Sequence, residues 1–248
     1  MTAPVRAEAG AITASPLLTV DGLCAGYGKA QVLDGVSFSV GQEAVCVVGR
    51  NGMGKSTLCN TIIGLVTPTA GTISFDGADV AGMPPERIAR RGIAYVPQGR
   101  RLFPSLTVDE HLRMLARNTR GKRWTAEAVY DLFPRLAERR RNGGAQLSGG
   151  EQQMLAVARA LLLNGRLVVM DEPSEGLAPT IVDSLIDAIH QLVREGVAVL
   201  VVEQNLRAAT EIADRQLVMV SGRIETETTA HELAHNPDLQ RRYLGVDA

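Results

Sequence analysis

The sequence predicts an α/β fold in which a parallel-sheet core carries an N-terminal antiparallel β-subdomain and an inserted helical lobe. Short continuous apolar runs at residues 44–48, 167–170 and 197–202 are typical of parallel strands buried on both faces. Residues 17–40 alternate apolar and polar positions around Gly and Asp turns, which is typical of antiparallel strands. Residues 107–160 are mostly helical in pattern and separate one part of the core from the rest.

The composition of the chain is consistent with one large unit and excludes several classes of protein. The 248 residues are 45% hydrophobic, which is enough to fill a sizeable core, and the net charge of −1 gives no footprint for a nucleic-acid partner. The three cysteines show no CxxC or zinc spacing, and we expect Cys46 to be a small buried residue in a reducing cytosol. No apolar run approaches the length of a membrane span, so the sequence predicts a soluble protein.

The chain divides into a tail and one folded domain. Residues 1–16 are rich in Ala and Thr and lack the basic-then-apolar order of a signal peptide, so we expect a poorly ordered tail. The domain then covers residues 17–248. We predict the β-subdomain and the P-loop part of the core in residues 17–100, the helical lobe in 101–160, and the remainder of the core with a C-terminal helix in 161–248.

Turn residues and capping signals place the smaller elements along this domain. We predict strands, before the lobe, at residues 18–20, 36–40, 70–77 and 93–96, the last of them ended by Pro97. Thr107 is a predicted N-cap for the first helix of the lobe, and Glu110 completes a capping box. Residues 217–224 indicate a terminal strand pair, and the last helix is predicted over residues 231–244.

A glycine-rich motif follows the first apolar run. The residues that fit the pattern G-x-x-x-x-G-K-[ST] are Gly49, Arg50, Asn51, Gly52, Met53, Gly54, Lys55 and Ser56. A strand precedes them and a helix start follows from Thr57, which is the context that a phosphate-binding P-loop needs and that an accidental glycine turn would lack. Backbone N–H groups and the helix N-terminus can surround phosphate oxygens here. We expect Lys55 to reach the β- and γ-phosphates and the Ser56 hydroxyl to bind Mg²⁺.

Two carboxylates follow the apolar run at residues 167–170. A carboxylate at the end of a buried strand is unfavourable unless it meets a cation or leaves the core. We expect Asp171 to hold Mg²⁺ through water and Glu172 to polarise the attacking water as general base. A strand-end turn closed by Asp and Pro173 is the competing interpretation, and the upstream P-loop favours the catalytic one.

A second anion site is predicted at a helix start, where Leu147 is followed by Ser148, Gly149, Gly150, Glu151, Gln152 and Gln153. Ser148 can cap the helix, and the two glycines permit close backbone approach. The order of P-loop, L-S-G-G-E-Q-Q and D-E-P resembles the ATP-binding-cassette (ABC) ATPases from about residue 17 to the C-terminus. This resemblance implies a P-loop NTPase core of the RecA-like type, ATP and Mg²⁺ as ligands, and ATP hydrolysis as the activity, with Ser148, Gly149 and Gly150 among the nucleotide contacts.

Two further residues match motifs of that family. Tyr27 corresponds to the aromatic residue that stacks on adenine, and Gln98 to the glutamine loop that senses Mg²⁺ and the membrane partner. The resemblance therefore implies that Tyr27 and Gln98 contact the nucleotide and that Gln98 is also a metal ligand. On their own these residues would be interpreted as a core aromatic residue and a polar loop residue.

Two positions depart from the common family pattern. Gln204 stands where the family usually has a catalytic His, and it can hydrogen-bond the γ-phosphate but cannot carry a proton as imidazole does. Ala178 stands where the usual S-A-L-D loop has its Asp. In that family both positions touch groups that couple two nucleotide sites across a dimer, so the pattern raises the question of whether this chain alone makes two competent sites.

The variant motifs also resemble one subfamily. Residues 97–104, 173–179 and 202–205, with Tyr243, Leu244 and Gly245 near the end, look like the smaller ATPase subunit of bacterial branched-chain amino-acid importers. That resemblance implies a second ATPase subunit, in a heterodimer or alternatively a homodimer, two membrane permease subunits and, indirectly, a periplasmic or extracellular substrate-binding protein. It implies no nucleic-acid partner and a peripheral position at the cytoplasmic face of the inner (plasma) membrane.

Three alternatives remain at this point. ATPases of urea and short-amide importers share much of the pattern, although the Gly-Leu-Ala-Pro loop favours the amino-acid branch. Non-transport ABC ATPases usually carry long coiled-coil arms or two fused cassettes, for which this chain has no room. An ABC exporter ATPase is the third alternative, and the motif variants favour an importer.

Overall fold

A computed structural model of the protein describes residues 15–116 and 122–241. Of the predicted tail only residues 15 and 16 are described, and residues 243–245 lie outside the described ranges. Within those ranges the chain forms two β-sheets flanked by helices, which confirms the predicted α/β class.

The strands and helices are given in chain order. The strands are β1 Leu18–Tyr27, β2 Ala30–Val40, β3 Ala44–Val48, β4 Ala70–Phe75, β5 Ala78–Asp79, β6 Ile93–Val96, β7 Leu167–Asp171, β8 Ala198–Glu203, β9 Arg215–Val220 and β10 Arg223–Thr229. The helices are α1 Lys55–Ile62, α2 Pro85–Arg91, α3 Val108–Ala116, α4 Ala126–Leu132, α5 Pro134–Glu138, α6 Gly149–Leu161, α7 Pro179–Arg194, α8 Leu206–Ile212, α9 Ala230–His235 and α10 Pro237–Leu239. A 3₁₀ turn at Gly144–Gln146 precedes α6.

The N-terminal sheet is antiparallel, with strand order β2-β1-β4-β5. Strands β1 and β2 are longer than the strands predicted at residues 18–20 and 36–40. Their pairing continues through register shifts near Gly22 and Gly35, whose φ angles are +58° and +71°. These shifts interrupt the strict alternation of side chains, which explains why the sequence pattern showed only the two ends of the hairpin.

The core sheet has six strands in the order β10-β9-β3-β8-β7-β6, and all of its pairs are parallel except the β9–β10 hairpin. The strands predicted at residues 93–96, 167–170 and 197–202 are confirmed to within one residue at each end. Because parallel strands end at the same edge of the sheet, the residues that follow β3, β7 and β8 come together there.

The core lies on both faces of this sheet. Along β3, Val45 and Val47 pack into the cluster under the antiparallel sheet, whereas Cys46 and Val48 pack into the cluster beneath α6, α7 and α8. Cys46 is fully buried as predicted, and burial raises the pKa of its thiol well above the ordinary value. The thiol is therefore neutral and acts as a small apolar side chain.

The described residues between β6 and β7 include the four helices α3 to α6. The capping box predicted for α3 is confirmed, since Glu110 N–H donates to Thr107 Oγ1 at 3.2 Å and Thr107 N–H donates to Glu110 Oε2 at 2.8 Å. The chain leaves the core sheet at the end of β6 and returns to it at the start of β7, which pairs with β6. The helical lobe is therefore an insertion between two neighbouring strands of the core.

The C-terminal part differs from the single helix predicted over residues 231–244. Helix α9 ends at His235 and α10 begins at Pro237, because proline has no N–H for the next helical hydrogen bond. Asn236 between them caps α10 by accepting from the N–H groups of Asp238 and Leu239. No helix in the described ranges is long and apolar enough to cross a membrane.

Candidate functional site

The glycine-rich loop connects the end of β3 to the first residue of α1. Gly52 and Gly54 have φ angles of +80° and +102°, which side chains rarely adopt, and Gly54 is the N-terminal boundary of α1. A Cβ on Gly49 would lie 2.6 Å from the carbonyl oxygen of Met219. Helix α1 begins at Lys55, two residues before the predicted start, and the first N–H groups of a helix have no partner within it.

A cavity of about 370 Å³ lies over this loop and gathers most of the predicted phosphate-binding residues. Its lining comprises Val32, Asn51, Gly52, Gly54, Lys55, Ser56, Thr57, Gln98 and Glu172. Gly49, Arg50 and Met53 belong to the same loop but do not line the cavity. Arg50 and Met53 use their carbonyl groups within the fold, accepting from Lys55 Nζ and from Gly222 N–H.

The ammonium group of Lys55 is buried at the centre of the loop, with 3% of the residue exposed. Its Nζ donates to the carbonyl oxygens of Gly49 and Arg50 at 2.8 and 3.1 Å. It also forms an ion pair with Glu172 Oε1 at 3.0 Å. A buried ammonium needs such partners, and an anion that enters the cavity meets a cation already held in place.

Ser56 and Asp171 bring two oxygen ligands together across the core. The Ser56 hydroxyl donates to Asp171 Oδ1 at 3.0 Å, and the Tyr95 hydroxyl donates to Asp171 Oδ2 at 3.2 Å. Burial raises the pKa of Asp171, and the hydrogen bonds from Ser56 and Tyr95 act in the opposite direction. One carboxylate and one hydroxyl next to a phosphate cradle fit Mg²⁺, which takes few protein ligands beside substrate phosphates.

Glu172 adopts a strained backbone conformation directly after β7. Its φ is +46°, in the left-handed region that non-glycine residues avoid. Gln98 Nε2 donates to Glu172 Oε2 at 3.3 Å and to Glu175 Oε2 at 2.9 Å. The carboxylate of Glu172 thus contacts both Lys55 and Gln98, one through each of its oxygens.

Gln204 lies in a neighbouring cavity of about 370 Å³ at the same edge of the sheet. Glu172 lines both this cavity and the one over the P-loop. The remaining lining residues are Ser174, Glu175, Gly176, Leu177, Glu203, Gln204 and Asn205. Glu172 therefore borders both the cavity of Gln204 and the cavity over the P-loop.

The predicted anion site at α6 is a capped helix start outside the P-loop cavity. Ser148 Oγ accepts from Glu151 N–H at 3.3 Å, and Glu151 Oε2 accepts from Ser148 N–H at 2.8 Å. Gly150 packs against Ile181, so that a Cβ would lie 2.6 Å from a methyl carbon of that residue. Within one chain, Ser148, Gly149 and Gly150 are therefore not brought together with Lys55.

Tyr27 occupies the end of β1 and is 54% exposed. Its ring does not line the P-loop cavity. An exposed aromatic ring beside the hairpin turn is available for stacking, and the competing interpretation of Tyr27 as a core residue is wrong.

Sequence reasoning missed two residues of this site. Tyr95, which lies on β6, donates a hydrogen bond to Asp171. Nothing local in the sequence distinguishes Tyr95 from an ordinary strand residue. Glu203 is 2% exposed and accepts backbone hydrogen bonds from two loops. Its signal was a carboxylate at the end of an apolar run, which is the same signal that identified Asp171.

The P-loop, the carboxylates after β7 and the capped glycine pair occur here in one α/β domain. A family model described as ABC transporter matches residues 33–175. The chain belongs to the ABC transporter family. Members of this family that bind ATP in transporters are ATPases, so this chain is an ATPase of the ABC type.

Relatives of known name support the same family. BraG of Pseudomonas aeruginosa, a high-affinity branched-chain amino acid transport ATP-binding protein, is 44% identical over 92% of this chain and 100% of its own length. LivF of Archaeoglobus fulgidus, a probable branched-chain amino acid transport ATP-binding protein, is 35% identical over 90% of this chain and 97% of its own. LptB of Haemophilus influenzae, a lipopolysaccharide export system ATP-binding protein, is 32% identical over 92% and 97%.

Solved structures have the same fold. An ATP-binding subunit of an ABC transporter, 33% identical, superimposes with a TM-score of 0.74 and covers 91% of this chain and 92% of its own. An ATP-binding cassette of an ABC transporter, 26% identical, superimposes with a TM-score of 0.80 over 91% and 98%. The predicted P-loop NTPase core with its β-subdomain is therefore confirmed as the fold of this ABC ATPase.

Proposed function

We propose that this ABC ATPase powers a bacterial importer of branched-chain amino acids through separate membrane subunits. The observation that supports the substrate class best is the 44% identity to BraG, which extends over 92% of this chain and all of that protein. The variant residues Ala178 and Gln204, which resemble the smaller ATPase subunit of such importers, support it independently.

We infer a role for each residue around the P-loop cavity. Lys55 binds the β- and γ-phosphates of ATP, and the backbone N–H groups of the loop and of α1 surround them. Glu172 is the general base for the attacking water, and Gln98 and Gln204 contact the γ-phosphate end of the site. Tyr27 stacks on adenine from the end of β1.

Mg²⁺ is the metal that we propose for this site. Ser56 and Asp171 would hold it, with Gln98 as a further oxygen donor, and the bound ion would neutralise charge on the phosphates. Side chains of the protein supply the other functions: Lys55 orients the phosphates, and Glu172 accepts the proton of the attacking water.

We propose that two ATPase subunits form the functional unit. Ser148, Gly149 and Gly150 lie away from the P-loop of their own chain, so they are available to a nucleotide bound by a second subunit. ATP then joins the two subunits, and its hydrolysis separates them. The helical lobe and the adjacent Gln98 loop receive a short helix from each membrane subunit, which couples closure to transport.

Stimulated ATP hydrolysis tests this proposal. The chain is purified alone, and then with its second ATPase and membrane subunits in proteoliposomes, with binding protein loaded with leucine, isoleucine, valine, urea or sulfate. We expect weak hydrolysis by the chain alone and stimulation in the complex by the three branched-chain amino acids. Lys55→Ala is the inactive control.

Other outcomes assign the chain differently. Stimulation by urea but not by leucine would move it to the urea and short-amide branch. Strong hydrolysis by the chain alone, indifferent to membrane subunits, would contradict a transport role. Relatives with other cargo exist, such as LptB, so the assay includes proteoliposomes without binding protein.

A further inference from the structure

The carboxylate of Glu203 connects two loops at the edge of the core sheet. Its Oε1 accepts from Ser174 N–H at 2.9 Å, and Ser174 belongs to the loop that begins with Glu172. Its Oε2 accepts from the N–H groups of Gln204 and Asn205 at 3.1 and 3.3 Å. The side chain is 2% exposed, so these three donors are its compensation for burial.

The loop that carries Glu172 needs such a restraint. A non-glycine residue at φ +46° is strained and keeps this conformation only when its surroundings hold it. Two backbone hydrogen bonds contribute, from Glu172 N–H to Val202 O at 2.9 Å and from Glu175 N–H to Glu172 O at 3.2 Å. Glu203 adds the side-chain restraint, two residues after the strained position.

The second loop does not need Glu203 to start its helix. Helix α8 has its own cap, because Asn205 Oδ1 accepts from Ala208 N–H at 3.2 Å. The bonds from Gln204 and Asn205 to Glu203 therefore do more than begin α8. They attach the Gln204 loop to the same carboxylate that binds Ser174 in the loop after β7.

We propose that Glu203 is a positioning residue for ATP hydrolysis, which holds the loops of Glu172 and Gln204 at one fixed separation. One carboxylate oxygen serves each loop, so a displacement of either loop is transmitted to the other. Glu172 and Gln204 line the same cavity. With the loops held at this separation, both side chains face the same γ-phosphate at the same time. This inference rests on the roles proposed above for those two residues.

Two substitutions at this position test the inference in ATP hydrolysis by the purified chain without a partner ATPase, where every ATP site carries the substitution. Glu203→Gln is nearly isosteric and keeps one acceptor oxygen, so it retains one of the two attachments. Glu203→Leu keeps neither. We expect kcat to fall about tenfold for Glu203→Gln and further for Glu203→Leu, with KM for ATP within about twofold of the original chain, because the phosphate cradle is untouched.

Gln216→Leu is the matched control for a lost buried polar group. Gln216 is fully buried near the start of β9, and its Nε2 donates to the carbonyl oxygens of Ala209 and Ala213. We expect this variant to lower the melting temperature while kcat stays unchanged. Melting temperatures and ATP affinities are measured for all variants, so that loss of fold is separated from loss of rate.

The outcomes distinguish the two levels of the argument. If both Glu203 variants keep kcat within about twofold, Glu203 does not position the site. The same conclusion holds if kcat falls only as far as the melting temperature of each variant falls and KM for ATP rises with it. Glu172→Gln is assayed in parallel. Turnover that survives in Glu172→Gln overturns the role of Glu172 itself, whereas an inactive Glu172→Gln beside normal Glu203 variants overturns only the inference about Glu203.

Discussion

The two oxygens of Glu172 are both engaged in the arrangement described here. Oε1 lies 3.0 Å from Lys55 Nζ and Oε2 lies 3.3 Å from Gln98 Nε2. Lys55 and Gln98 therefore compete with water for the two oxygens of this carboxylate. We expect the γ-phosphate of ATP to compete for Lys55, which would release Glu172 to accept a proton from water.

Replacement of this carboxylate by an amide separates binding from hydrolysis. For the purified chain without a partner ATPase, Glu172→Gln should keep ATP affinity within about twofold of the original chain and lower turnover by at least about a hundredfold, because an amide cannot accept the proton. The closed dimer should then accumulate with ATP in size-exclusion chromatography.

Glu175→Gln is the control for that substitution. Glu175 is exposed, lies three residues further along the same loop and also accepts from Gln98 Nε2, at 2.9 Å. We expect nearly normal turnover. Equal loss in both variants would mean that the loop's contact with Gln98 matters rather than a base at residue 172.

Individual residues of the site could be predicted where a local motif identifies them. The P-loop residues and the Asp171–Glu172 pair each follow a buried strand, and this position is visible in the sequence. The bonds of Tyr95 to Asp171 and of Glu203 to Ser174 were not visible. They join residues 76 and 29 positions apart, and only the order of strands in the sheet brings these residues together.

At the level of elements, the capped start of α6 has both a structural and a proposed functional part. Ser148→Ala removes the side-chain acceptor for Glu151 N–H and should lower stability by about 1 kcal/mol. If Ser148 also contacts ATP on a second subunit, this variant should lose turnover as well. Thermal melting and ATP hydrolysis by the assembled complex measure the two effects.

Thr125→Ala provides the comparison. Thr125 caps α4 in the same way, with Oγ1 accepting from Ala128 N–H at 3.2 Å, and it lies outside the proposed site. We expect a similar loss of stability and unchanged turnover. A loss of turnover that is the same in both variants would reduce Ser148 to a helix cap.

His111 on α3 makes the stability of the lobe depend on pH. Phe103 N–H donates to His111 Nε2 at 3.0 Å, so Nε2 is an acceptor and Nδ1–H donates to Thr107 O at 2.8 Å. This neutral tautomer is buried, and burial lowers the pKa of His111, with the charge of Arg159 acting in the same direction. A proton on Nε2 would leave two donors facing each other.

The sign of the effect follows from that lowered pKa. The unfolded chain takes up a proton at His111 near pH 6.5 while the folded chain does not, so stability is full above about pH 6.5 and falls as the pH drops below it. We expect His111→Gln to flatten the slope of melting temperature against pH between about 5 and 7. His231→Gln, at an exposed histidine on α9, is the control, and an unchanged slope in His111→Gln would contradict the prediction.

The elements themselves were predictable where one local signal decides them. Continuous apolar runs gave the parallel strands, a capping pair gave the start of α3, and a single capping serine gave the start of α6. The β1–β2 hairpin was underestimated because its register shifts depend on pairing, which a single strand does not encode. The break before Pro237 was a local signal that the helical period at residues 231–244 obscured.

For the whole molecule, the two unusual residues point to unequal ATP sites. Gln204 lies where a histidine is expected, and Ala178 lies at the boundary of α7 where the family pattern has Asp. The family resemblance implies that both positions couple the two nucleotide sites of a dimer. A partner with the usual histidine would then supply the more active site, and this chain would contribute mainly ATP binding and closure.

Gln204→His tests this asymmetry in the assembled complex. If the partner's site sets the rate, turnover should change by less than about twofold, because the new imidazole lies at a site that is not limiting. In a homodimer of this chain the same substitution acts on both sites.

A large gain in the complex would therefore mean that this chain's own site limits turnover, whereas a large loss would mean that Gln204 makes a contact that imidazole cannot replace. The steady-state ATPase rate, measured on both assemblies at saturating ATP, distinguishes these results, and the Glu172→Gln chain in the same complex shows how much turnover the partner's site supplies alone.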